Sequence, residues 1–262
     1  MTGRETVVLV TGMSGLIGSA VRKRLEGTYP LRALNRGPVA GVECVRADIT
    51  DLSAIEPAFA GVDVVVHLAA KVHRDAPWDG VLAHNIIGTY NVFEAARRAG
   101  VKRLIYASSG AAIGNYEREA PYSAVVAGRY EGASPWPRLT HESPARPAGL
   151  YGCSKVWGEA LGRHYADDHG MSVICLRIGA VNREDRPLSA RQFSVWCSQR
   201  DVAQMVERCI AAPESVRFDI FYAVSDNKWS YRDVAHARDV VGYLPQDRAE
   251  DCPAAAGSAA SG

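Results

Sequence analysis

One pentapeptide has the makings of acid/base chemistry: Tyr151-Gly152-Cys153-Ser154-Lys155. Pro147 and Gly149 lie just upstream, and a helical pattern of Trp157, Ala160, Leu161, His164 and Tyr165 follows. Tyr151 and Lys155 therefore stand one helical turn apart and project from one face. A phenol normally holds its proton near neutral pH. An ammonium beside it favours the phenolate and lowers that pKa. A tyrosine tuned this way exchanges a proton with a substrate hydroxyl at working pH. The spacing by itself arises often by chance, so the remaining chain has to supply what such a pair would act with.

A cofactor turn stands near the N-terminus. Thr6–Val10 is a short continuous apolar run, as in a parallel strand covered on both faces. It enters Thr11-Gly12-Met13-Ser14-Gly15-Leu16-Ile17-Gly18, and an amphipathic helix through Ala20, Val21 and Leu25 ends at Gly27. Glycines between strand and helix let the backbone approach a pyrophosphate, which the free N–H groups of the helix start attract. Gly12, Ser14, Gly15, Leu16 and Ile17 are the expected contacts. The second strand, Leu31–Leu34, leads to Asn35 and Arg36, where NAD-binding folds carry an acidic residue for the adenosine ribose. With no carboxylate there and an arginine beside it, NADP(H) is favoured, with NAD(H) the alternative.

The elements that must position these groups alternate along the chain. Val42–Val45 is a third strand, followed by Asp48 and Ile49 as an adenine contact, and 52–59 is helical. Asp63–His67 is a fourth strand, ending in Leu68, Ala69 and Ala70, small residues against which a cofactor can lie. A polar loop over 71–80 brings Lys71, His73 and Arg74 to the expected mouth. A helix over 81–99 carries Asn85 on an apolar face, where it needs a partner and is expected beside the cofactor. The fifth strand, 104–107, delivers Ser108 and Ser109 to the C-terminal edge, where open parallel sheets bind ligands. Residues 110–147 are too long for an ordinary connection and suggest a functional loop. The Tyr151 helix runs to 168, and a sixth strand over 172–178 brings Ile178 to the cofactor. An irregular stretch over 180–200 holds Arg183, Arg186, Arg191 and Trp196. A helix over 201–211, a strand over 218–224 and a helix over 231–240 follow, and the Ala/Gly/Ser tail from 253 reads as disordered. The pattern predicts an α/β fold: a doubly wound parallel-sheet Rossmann domain over 1–252. Substrate-binding segments are expected at about 110–147 and 180–240, with a small C-terminal portion.

Bulk properties narrow the function classes. A formal charge of +1 and no basic stripe argue against nucleic acid. No apolar run is long enough to span a bilayer, and no signal-peptide pattern opens the chain, so a cytoplasmic protein is expected. The six scattered cysteines suit reduced thiols. No metal spacing is visible among the histidines; His164 and His169 are expected on different sides of a helix.

As a set, the T-G-x-x-G-x-x-G turn, the Asn85 segment, Ser109 and Tyr151-x-x-x-Lys155 resemble the extended short-chain dehydrogenase/reductase superfamily, which includes epimerases and dehydratases. The resemblance covers roughly residues 5–245. It implies a nicotinamide nucleotide and a catalytic group in which Ser109 orients the substrate, Tyr151 is the acid/base, and Lys155 lowers the tyrosine pKa and holds the nicotinamide ribose. Hydride then moves between cofactor and a sugar or sugar-acid carbon. Within the superfamily the chain resembles uronate dehydrogenases, through Asn85-Ile86-Ile87-Gly88, Arg146-Pro147, Arg177-Ile178-Gly179, and an arginine before Trp196-x-Ser198. That likeness implies that Arg191 clamps a sugar carboxylate and that Ser109 and the residue after it meet the substrate. This chain has Gly110-Ala111 where those enzymes carry Asn-His, and Ala180 where they carry serine. The other readings are a nucleotide-sugar epimerase on tightly held NAD and a dinucleotide sensor without catalysis. A homodimer is expected through the Asn85 and Tyr151 helices, with Tyr90, Trp157 and Leu161 outermost.

Overall fold

The computed structural model describes residues 5–72, 77–131 and 135–252. His73, Arg74 and the tail from 253 lie outside the described residues. Seven parallel strands form one sheet in the order β3-β2-β1-β4-β5-β6-β7. They are β1 Val8–Thr11, β2 Leu31–Asn35, β3 Glu43–Arg46, β4 Val64–His67, β5 Arg103–Ser109, β6 Ser172–Ile178 and β7 Phe218–Ala223.

Burial on both faces explains the unbroken apolar runs. Val8, Val10, Ile105 and Ile174 face a layer built on Val21 and Leu25 of helix Leu16–Leu25 and on Val202, Met205 and Val206 of helix Gln199–Ile210. Leu9, Leu104, Tyr106 and Val173 point the other way, onto Phe59, Val92, Phe93 and Tyr165. That alternation is the period of two expected of strands. β1 lies between β2 and β4, so the strand order reverses beside it, and such a switch point opens a crevice at the C-terminal strand ends. The register aligns those ends: Thr11 lies opposite Leu34 and His67, and Ser109 opposite Ile178.

Three expectations change. The helix expected over 81–99 is Trp78–Val81, a π turn over Leu82–Ile87, and Gly88–Arg98. π turns are rare and need compensation; here Asn85 at its centre supplies three hydrogen bonds. The described residues of the 110–147 segment are packed against the fold. A 3-10 stretch, Gly110–Arg118, and a short helix, Tyr122–Val126, put Ile113, Tyr122, Val125 and Leu139 into a third core with Val195, Tyr222 and Tyr231. His164 and His169 are not separated by their helix: their rings lie 5.3 Å apart at its C-terminal end. Trp196 is buried, and Trp229 stacks on Tyr130 at 3.8 Å. No described helix is long and apolar enough to cross a membrane.

Candidate active site

The glycine turn closes because side chains are absent from it. Gly12 has φ +71°, and a Cβ there would come within 3.1 Å of the Ala69 backbone. A Cβ on Gly18 would lie 2.6 Å from Cα and O of Met13. The start of helix Leu16–Leu25 is thereby held at the end of β1, where its free N–H groups favour phosphate. A cavity of about 650 Å³ opens above it. Gly12, Ser14, Gly15, Leu16, Ile17, Asn35, Arg36, Asp48, Ile49, Leu68, Ala69, Ala70 and Ile178 all line this cavity, with Ser109, Tyr151 and Lys155 at its far end. The residues fit a dinucleotide: a glycine cradle for the pyrophosphate, polar groups at the β2 end for a ribose, and a tyrosine–lysine pair for the nicotinamide end.

At the adenosine end, Asn35 donates to Ser14 Oγ at 2.6 Å, and Arg36 is exposed. Burial alone would raise the Asp48 pKa. The hydrogen bonds from Thr50, with His84 and Arg36 nearby, outweigh it and hold the carboxyl below its ordinary value. His84 also lines the cavity, 3.8 Å from Asp48. It has no signal in the sequence beyond lying beside Asn85.

Asn85 does not line the cavity; it is fully buried behind it. Its Oδ1 accepts from Lys71 N at 2.7 Å, and its Nδ2 donates to Lys71 O at 3.0 Å and Ser154 Oγ at 3.1 Å. Ser154 in turn donates to the Tyr151 carbonyl at 2.7 Å. Asn85 thus ties the segment after β4 to the first turn of the tyrosine helix. His67, also unremarked in the sequence, does comparable work between β1 and β4. Burial and the charge of Lys155 push its pKa down to about 3, and the neutral ring bonds Thr11 Oγ1 at 2.8 Å.

Tyr151, Ser109 and Lys155 come together at the C-terminal end of β5. Ser109 Oγ accepts from Ala111 N at 3.1 Å, which leaves its own proton for the Tyr151 phenol oxygen. Lys155 is buried, donates to Ala107 O at 2.7 Å, and sits 5.5 Å from the Tyr151 ring centroid. The electrostatics differ from the expectation. Burial raises the Tyr151 pKa, opposed by the Ser109 hydrogen bond and not by Lys155. Burial also pulls Lys155 down to about 7, against the attraction of Glu159. In the free protein both groups therefore resist charging.

Glu159 anchors this region from behind. It accepts from Ser108 Oγ at 2.6 Å and from Nε and Nη2 of Arg177, both at 2.9 Å. Arg177 passes the network to the Tyr222 hydroxyl at 3.1 Å. Both partners of the ion pair are buried. Glu159→Leu leaves the Arg177 charge uncompensated, and urea unfolding is expected to show a loss of about 3–5 kcal/mol. A loss below about 1 kcal/mol would mean that the pair is not needed for the fold.

A second cavity of about 600 Å³ shares Ser109, Tyr151, Ile178 and Ala180 with the first. Gly110 and Arg191 line it, as do Glu117 and Arg232. Arg191 is not a free fork. Its Nε and Nη2 bind Glu117 at 2.6 and 2.8 Å. Arg232 and Glu117 were not singled out by the sequence, because neither belongs to a motif. Of the positions expected outermost, Tyr90 is exposed, while Trp157 and Leu161 are half-buried.

Comparison with known proteins agrees with this geometry. Residues 8–243 match the NAD dependent epimerase/dehydratase family. A glucose-6-phosphate dehydrogenase of Haloferax volcanii, named as NAD-dependent, is 37% identical, covering 93% of this chain and 94% of the relative. A uronate dehydrogenase of Pseudomonas putida is 33% identical over 95% and 87%. The crystal structure of uronate dehydrogenase from Agrobacterium tumefaciens superposes with a TM-score of 0.79 at 34% identity, covering 94% of this chain and 86% of that one. A variant of that enzyme was solved in complex with NAD. The chain is a short-chain-type dehydrogenase and belongs to the NAD dependent epimerase/dehydratase family.

Proposed function

We propose that the protein transfers a hydride between NADP(H) or NAD(H) and a hydroxyl-bearing carbon of a sugar or sugar derivative, with Tyr151 as acid/base. The observation that carries this reading is the shared wall: Ser109 and Tyr151 border both cavities, so a substrate in one meets a nicotinamide in the other at these side chains. The relatives named for glucose 6-phosphate and uronate support a sugar as substrate class. The bound nicotinamide supplies a hydride acceptor or donor. Ser109 orients the substrate oxygen, Tyr151 takes or returns its proton, and Lys155 holds positive charge beside the phenol. An epimerase on tightly held cofactor has no observation in its favour over this reading. Steady-state absorbance at 340 nm with a sugar panel and both cofactors tests it. Net reduction of the cofactor is expected, and none with any sugar or derivative would remove the proposal.

For the cofactor we infer a preference for NADP, because exposed Arg36 borders the adenosine end next to Asn35. A guanidinium there suits a 2′-phosphate. Arg36→Ala is expected to reduce the ratio of NADP to NAD efficiency by about 10- to 100-fold. A wild type that clearly prefers NAD would sink the assignment.

A further inference from the structure

We propose that Arg232 is the anion-binding group of the second cavity and that the substrate is a sugar bearing a phosphate or a carboxylate, an inference that rests on the sugar-dehydrogenase reading. Arg232 is only 1% exposed. Among the described residues its Nε and Nη1 have no hydrogen-bond partner. The Glu117 carboxylate stands 3.9 Å from Nη2, beyond hydrogen-bond distance.

A structural arginine in this molecule looks different. Arg103, also buried, donates to Ser172 Oγ and to the carbonyls of Cys209, Ile210, Ala212 and Pro213. Arg177 binds Glu159 with two nitrogens and Tyr222 with the third. Arg232 has the burial of these residues without their partners. A buried guanidinium with two nitrogens lacking hydrogen-bond partners and only a 3.9 Å ion pair at the third is under-satisfied, so a ligand with anionic oxygens is the group that would complete it.

Its position is built rather than incidental. The backbone on either side is pinned to the segment after the short helix: Leu139 N donates to Tyr231 O at 2.7 Å, and Asp233 N to Leu139 O at 2.9 Å. The guanidinium occupies the space beside Gly110. A Cβ on that glycine would lie 2.6 Å from Cζ and Nη1. The loss of a side chain at 110, which removes one substrate contact expected from the uronate dehydrogenases, is thus what admits Arg232 to the cavity wall.

The charge balance points the same way. Glu117 is already engaged by the Arg191 fork and by the Tyr231 hydroxyl at 2.6 Å. Two guanidinium groups and one carboxylate leave a net positive charge facing Ser109 and Tyr151 across the cavity. A planar fork with free N–H groups binds carboxylate or phosphate oxygens in pairs.

The test uses the holoenzyme at saturating NADP+, so that the pyrophosphate turn is filled. Inorganic phosphate is expected to raise the Tm of the wild type and to leave that of Arg232→Met unmoved. Gly110→Asn, which puts a side chain where the guanidinium lies, is expected to lose the shift too. Without ligand, Arg232→Met should melt at or above the wild-type temperature, because no hydrogen bond is lost. In kinetic runs with glucose, glucose 6-phosphate and glucuronate, one of the anionic sugars should be preferred over glucose. Its KM should rise by about 30-fold or more in Arg232→Met and by less in Arg232→Lys. Which anionic sugar is preferred distinguishes phosphate from carboxylate. An equal phosphate shift in wild type and Arg232→Met, a large drop in the Tm of the ligand-free variant, or glucose used as well as both anionic sugars would each overturn the proposal. If no sugar changes the absorbance at 340 nm, the dehydrogenase reading fails, while loss of the phosphate shift in Arg232→Met would still support the anion site.

Discussion

Tyr151→Phe is expected to lower turnover by about 100- to 10,000-fold, the usual range for removing a positioned acid/base group. The change deletes one oxygen and keeps the ring. What the protein loses is the polar interaction with Ser109, since the Ser154 bond to this residue uses the Tyr151 backbone carbonyl. Fold and cofactor affinity should therefore survive, which circular dichroism and a fluorescence titration with the nicotinamide nucleotide can establish. With those intact, a loss confined to turnover assigns the oxygen to the chemical step. Turnover within about tenfold of wild type would remove Tyr151 from the role of acid/base.

Lys155→Met has a comparable expected effect on rate, with the opposite effect on stability. Lys155 does not offset the burial of Tyr151 in the free protein, but its amine lies 5.5 Å from the ring centroid, and a positive charge there would stabilise a phenolate formed during the reaction. Without it the oxidation rate should fall by about 100-fold or more, and its rise with pH should move to more alkaline values. For stability the sign is set by the depressed pKa. The folded value of about 7 lies below the ordinary lysine value of 10.5. Between these the unfolded chain binds more protons, so stability gains from Lys155 as pH rises through this window. The penalty of burying the charged amine is fully present below its lower end. Methionine removes that penalty. The variant should gain stability relative to the wild type at pH 6, and the gain should shrink toward pH 10. Urea unfolding at the two pH values measures it. A variant less stable than wild type at pH 6 would show that the charged amine supports the fold.

What could be read from the sequence was what is local. Val8–Thr11 and Val64–His67 announce parallel strands because both faces are buried, and the glycine turn follows one of them directly. Tyr151 and Lys155 lie within one helical turn, so their pairing needed no knowledge of the rest. Ser109 followed from its place at a strand end. The π turn was hidden because the partners of Asn85 are Lys71 and Ser154, 14 and 69 residues away. No periodicity within a helix encodes them. The order in 110–147 was hidden for the same reason: its core partners, Val195, Tyr222 and Tyr231, come from the far end of the chain. Arg191 carried a motif yet is committed to Glu117, whereas Arg232 carried none yet reaches the cavity through a space that only Gly110 leaves open. Shape between distant segments decides which arginine is free, and a linear pattern does not contain it.

Net hydride transfer is the central claim, and a single-turnover experiment tests it most directly. Enzyme, oxidised cofactor and sugar are mixed, absorbance at 340 nm is followed, and the sugar product is analysed from the same sample. One reduced nicotinamide is expected for each sugar oxidised, with no such signal from Tyr151→Phe on the same timescale. A sugar converted to its epimer with no net absorbance change would contradict net hydride transfer.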